Sequence, residues 1–99
     1  MLNNGSYSRW RVSGIREFHK KSWQGEVVVF DDASGDTLRL DILTTEILFM
    51  LYASKDSLDE AAVTAGIADL LGEEPSEILV KRVQQSLSNL KNLGLIMQE

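Results

Sequence analysis

The sequence predicts an α+β fold with antiparallel strands first and three α-helices after them. Three observations predict it. Apolar and polar residues alternate with a period of two in the first part of the chain, the spacing lengthens to three and four at Asp41, and the connections carry recognisable turn or capping residues. The closest architecture is a winged helix-turn-helix, with the second and third helices as the helix-turn-helix element.

In the opening segment Trp10 and Val12 alternate with Arg9, Arg11 and Ser13, which suits a strand with one buried face, and Gly14 breaks it. A second extended piece takes in Ile15, Phe18 and Trp23. Glu26 to Phe30 is a clearer strand. It runs into Asp32-Ala33-Ser34-Gly35-Asp36, residues that tolerate positive φ or hydrogen-bond their own backbone, so a turn is expected. Thr37 to Leu40 returns as a strand with Leu38 and Leu40 on one face and Thr37 and Arg39 on the other.

From Asp41 the apolar positions Leu43, Ile47, Leu48, Leu51 and Tyr52 follow a helical period, with Asp41 or Thr44 as the amino-terminal cap. Ser54-Lys55-Asp56 ends this helix. Ser57-Leu58-Asp59-Glu60 matches a capping box, which starts a second helix near Leu58 that runs to Leu71. Gly72-Glu73-Glu74-Pro75 connects it to a third helix over residues 76–93, with Pro75 in the first turn, where its missing N–H costs little. Leu79, Val83, Leu87 and Leu90 form the apolar stripe of that helix. Gly94 closes it as a left-handed cap, and Leu95-Ile96-Met97 leaves as an extended tail.

With 99 residues, 43% hydrophobic and 25% charged, the chain suits one globular domain, placed at residues 8–97 after a flexible segment 1–7. Trp10 and Trp23 are expected as core or lid aromatics. The sequence contains no cysteine, hence no disulfide framework, thiol nucleophile or thiolate metal site. The longest apolar run, Ile47 to Ala53, is far short of the roughly 20 residues that span a bilayer, and the amino terminus lacks the features of a secretory signal. A cytoplasmic location without a membrane partner is expected.

The net charge of -5 is segregated: residues 1–23 carry five Lys/Arg against one Glu, residues 24–74 two against twelve acids, and residues 75–99 three against two. An acidic total argues against a general nucleic-acid binder. The basic ends suit an acidic partner.

No residues assemble into a recognisable active site. His19 is the only histidine, so no His pair can hold zinc. A calcium loop counted from Asp31 or Asp32 would need glutamate where Ile42 or Leu43 stands. Neither Gly-x-Ser-x-Gly nor a phosphate-cradling glycine motif occurs. A non-enzymatic domain without cofactor or metal is expected.

A winged helix commonly reads DNA with the start of its last helix, but here that start is Glu73-Glu74-Pro75-Ser76-Glu77, whose carboxylates would repel phosphates. DNA binding stays as the alternative, beside a scaffold or dimerisation module in which a strand edge pairs with its own copy. Peptide binding requires less. Thr37, Leu38, Arg39 and Leu40 offer a strand edge, and Lys81, Gln84, Gln85 and Ser88, off the core stripe, offer a helix wall whose basic character, with Arg39, suits an acidic ligand.

The stretches Trp23-Gln24-Gly25-Glu26-Val27-Val28-Val29-Phe30, Ser34-Gly35-Asp36-Thr37, Leu40-Asp41 and Leu90-x-x-Leu93-Gly94-Leu95-Ile96 resemble the PqqD family, in particular its HPr-related kinase A system subgroup. The similarity covers residues 8–97. It implies a peptide chaperone, or recognition element, of ribosomal peptide modification. Such a domain binds the leader of a precursor peptide in the cleft between its third strand and third helix and presents it to a peptide-modifying or kinase-like enzyme. The resemblance assigns that strand to Thr37, Leu38, Arg39 and Leu40 and the helix wall to Lys81, Gln84, Gln85 and Ser88. Relatives in the subgroup commonly carry histidine after Ser-Gly-Asp-Thr, where this chain has Leu38.

Overall fold

Residues Ile42–Ala53 form a helix, α1, in which Glu46 is the only charged residue. A helix with so little polar surface has to be covered from several sides. The computed structural model describes residues 8–24 and 26–99 and shows how the cover is built. Four strands precede α1: β1 (Arg9–Val12), β2 (Phe18–Trp23), β3 (Glu26–Asp31) and β4 (Asp36–Arg39). After it come β5 (Leu58–Asp59), α2 (Glu60–Leu71), α3 (Glu77–Asn92) and β6 (Ile96–Gln98).

The strands form two separate three-stranded antiparallel sheets, in the orders β5-β1-β6 and β2-β3-β4. The described residues therefore form a compact α+β fold with six strands and three helices. One cluster of buried apolar side chains joins every layer: Trp10 and Ile96 from the first sheet, Phe18 and Val29 from the second, Ile47, Leu48 and Leu51 from α1, Val63 and Ile67 from α2, and Leu79, Val83, Leu87 and Leu90 from α3. On the flank of α1 that faces β2, Phe18 meets Tyr52 edge-on at 5.4 Å and Phe49 at 6.4 Å. Lys20 lies over the Phe49 ring at 4.9 Å from its centroid, so this β2 lysine covers apolar surface with its stem.

Several local expectations are corrected. Ile15 belongs to no strand and is fully exposed in the bend between β1 and β2. The residue that caps α2 is Asp59, whose carboxylate accepts from the Ala62 N–H at 2.7 Å, and the helix starts at Glu60. Ser57 is instead bonded to Arg9 Nε at 2.8 Å and to Glu99 at 2.9 Å, because Leu58 and Asp59 pair with β1. Pro75 lies outside α3, since Ser76 is the cap and accepts from the Leu79 N–H at 3.1 Å. The chain beyond Gly94 is extended, as expected, but it is also paired: β6 sets Ile96 against Val12 and Gln98 against Trp10. The expected flexible segment 1–7 and the role of the Trp23 side chain lie outside the described residues.

Truncating Leu87, which is 1% exposed, to alanine is expected to cost about 2–5 kcal/mol in urea denaturation. Gly72 closes α2 at φ 69°, with no atom within 4 Å of an added Cβ, so Gly72→Ala should cost only the backbone term of about 1 kcal/mol.

Candidate functional site

The β3–β4 turn is organised by Asp31, which is 1% exposed. Its carboxylate accepts from the Ala33 N–H at 3.1 Å, the Ser34 hydroxyl at 3.0 Å and the Arg16 guanidinium at 3.1 Å. The Asp31 carbonyl accepts from Gly35 N–H at 2.8 Å, and Gly35 sits at φ 76°, a conformation that favours glycine. Asp32 ties the same turn to the β1–β2 segment, exchanging bonds with the Glu17 backbone at 2.7 and 3.1 Å. These carboxylates hold the hairpin. Among the described residues no three His, Asp or Glu side chains gather as a metal site.

β4 leaves this turn as the outer strand of its sheet, paired with β3 through Leu38 to Val29 and Arg39 to Val28. Leu38 and Leu40 pack against the core, while Thr37 and Arg39 are exposed. The strand passes without a linker into α1, where Asp41 is the cap and accepts from the Thr44 N–H at 2.7 Å. Thr44 in turn donates its hydroxyl to Ser86 Oγ of α3 at 2.9 Å, a bond between two buried groups. A helix stripe that is otherwise apolar thus carries one polar clasp to α1.

Beside that clasp lies an open cleft of about 380 Å³. Arg39, Leu40, Asp41 and Thr44 form one wall, and Asn89, Asn92 and Leu93 of α3 form the other. Leu93 is half-exposed there, an apolar seat opposite Leu40. The strand candidates Arg39 and Leu40 therefore line the cleft, and Thr37 and Leu38 lead into it along β4, although Leu40 itself lies just past the strand.

The helix candidates divide differently. Gln85 donates to Asn89 at 3.2 Å and so stands one turn before the cleft wall. Gln84 points the other way, to Glu60 of α2 at 2.9 Å; Lys81 pairs with Glu77 at 3.8 Å, and Ser88 is exposed away from the lining. Sequence reasoning missed Asn89, Asn92 and Leu93. The available signal was Ser86, a small hydroxyl residue beside the apolar stripe, which marks the flank of α3 that meets α1.

Other hollows among the described residues are less suited to a strand-shaped ligand, for example a 260 Å³ recess between the β1–β2 bend and the end of α1, where Arg11 and Arg16 are already paired with Glu99 and Asp31. No helix among the described residues is long and apolar enough to cross a membrane. The chain matches no known protein family, and no curated protein or solved structure matches it.

Removing one partner of the Thr44–Ser86 clasp leaves the other hydroxyl buried without it, so Thr44→Val and Ser86→Ala are each expected to destabilise by about 1–3 kcal/mol. The double variant should cost clearly less than the sum, and a double-mutant cycle in urea measures this.

Proposed function

We propose that the protein is a winged helix-turn-helix peptide-recognition domain of the PqqD type, without catalytic activity of its own. In this reading it captures the leader of a precursor peptide by strand addition and presents it to a peptide-modifying or kinase-like enzyme. The observation that carries the reading is that an outer strand, β4, opens at its end into a cleft whose far wall is α3.

The chemistry of the two walls fits an extended peptide. Main-chain groups along an outer strand pair with an incoming segment whatever its sequence, and side-chain seats beside it supply selectivity. Leu38 and Leu40 spend their side chains on the core, so β4 contributes backbone, with Thr37 and Arg39 alongside. Leu93 offers an apolar seat for one ligand side chain, and the amides of Asn89 and Asn92 offer both donors and acceptors. Arg39 at the entrance favours a carboxylate-bearing ligand. Leu38 in place of the histidine usual in the subgroup suits this division, since an inward-facing leucine leaves recognition to the backbone.

Charge weighs against duplex DNA as the ligand. Glu73, Glu74 and Glu77 are exposed around the start of α3, where a winged helix would meet phosphates.

The test is a titration of the isotope-labelled full chain with leader segments of the small peptides encoded beside it. Amide shifts are expected at Thr37 to Leu40 and at Asn89 to Leu93. Leu93→Asp should abolish binding and Arg39→Glu should weaken an acidic leader about tenfold. Shifts confined to other faces, β4-to-β4 self-pairing in a dilution series, or salt-steep binding to duplex DNA instead would overturn the reading.

A further inference from the structure

We infer that the protein has a second docking surface, the groove where α1, α2 and α3 meet, and that it takes a basic amphipathic helix of a partner protein. The groove encloses about 400 Å³. Ile42 of α1 and Leu70 and Leu71 of α2 line it, with Glu46, Glu73 and Arg82 among them. Ile78 stands one helical turn before Arg82 on α3.

Single exposed apolar residues are ordinary, but three meet in this groove: Ile42, Leu70 and Leu71 are 79, 59 and 48% exposed. Ile42 is the more telling because the rest of the apolar surface of α1 is buried or half-buried, except the terminal Ala53. Its side chain lies open at the helix start, where this groove begins.

Charge sets the sign of the occupant. Residues 57–80 carry six carboxylates and no Lys or Arg. Asp59 is engaged in capping α2, Glu60 accepts from Gln84 and Glu77 pairs with Lys81, but Glu73 and Glu74 stand exposed in the α2–α3 connection. With Glu46 they outnumber Arg82 around the groove. A complementary partner brings Lys or Arg beside its apolar face.

The backbone sets its shape. The groove walls are helices, so they have no strand edge to lend. An extended segment would leave its own main chain unpaired there, whereas a helix satisfies itself and presents side chains at every third and fourth position. A second copy of this chain fits poorly, because Arg9, Arg11, Lys20 and Lys21 lie on β1 and β2, while the apolar stripe of α3 is buried in its own core. The surface is separate from the β4–α3 cleft, with neither Asn89, Asn92 nor Leu93 in its lining.

The experiment uses the labelled full chain and two helical peptides of about five turns with the same leucine face, one flanked by lysine and its twin by glutamate. Expected are amide shifts at Ile42, Leu70 to Glu73 and Ile78 with the lysine peptide, loss of binding in Leu70→Glu, and about tenfold weaker binding in Glu46→Lys/Glu73→Lys. Leu93→Asp, which disables the other cleft, should leave these shifts unchanged. Should Leu70→Glu lower the melting temperature, the charge-reversal variant decides. Equal binding of the glutamate twin, or shifts mapping elsewhere, overturns the inference. So does a concentration-dependent dimer in sedimentation that Leu70→Glu dissolves, because the occupant would then be a second copy.

Discussion

α1 cannot face water on any wide side, and the remaining elements are arranged as its cover. α3 lies along one flank, α2 along another, β1 crosses it, and the Phe18 ring of β2 closes on Phe49 and Tyr52. Burial of this kind is non-directional and sets no register by itself. Register comes from the few polar groups carried inside, Thr44 against Ser86 above all, because displacing this buried hydroxyl pair breaks a bond that the apolar neighbours cannot replace. The opening between β4 and α3 follows from both: Leu40 and Asp41 are the last residues before α1, so fixing α1 against α3 also fixes how far β4 stands from Asn89 and Leu93.

A second constraint acts at the other end of the hairpin. The Asp31 carboxylate is taken out of water, and such a group is tolerable only when its oxygens are well supplied with donors. A backbone N–H, a serine hydroxyl and a guanidinium supply them, and the guanidinium belongs to Arg16, outside the hairpin. The turn is thus tied to the segment before β2, which keeps β4 from swinging on its own. Bonds of Asp32 to the Glu17 backbone add a second tether to the same segment.

Features that depend on neighbours in the chain were legible without coordinates. The change of period at Asp41, the turn through Ser34-Gly35 and the stripe on α3 are local patterns that appear where their residues predict, except that Asp36 already belongs to β4. Features that depend on distant pairing were not. Ser57 to Glu60 has the form of a capping box, yet Leu58 and Asp59 are drawn into the pairing with β1, and the helix begins two residues later with Asp59 as cap. The pairing of the extended tail after Gly94 was hidden for the same reason, its partner β1 being remote in the chain. For the cleft, periodicity identified the buried stripe of α3 but not which flank turns toward β4. That choice is made by a contact between residues 42 positions apart, and it favours the Asn89 side over the Gln84 side.

β1 sits between β5 and β6, and the Glu99 N–H donates to the carbonyl of Arg9 at 2.8 Å. The chain is in effect a ring closed by one strand pair. Bringing such remote segments together carries a loop-closure entropy that the hairpin and helices do not face, although it grows only slowly with length. Contacts of this separation slow folding. The small sheet is therefore a latch whose closure depends on the length of chain it spans.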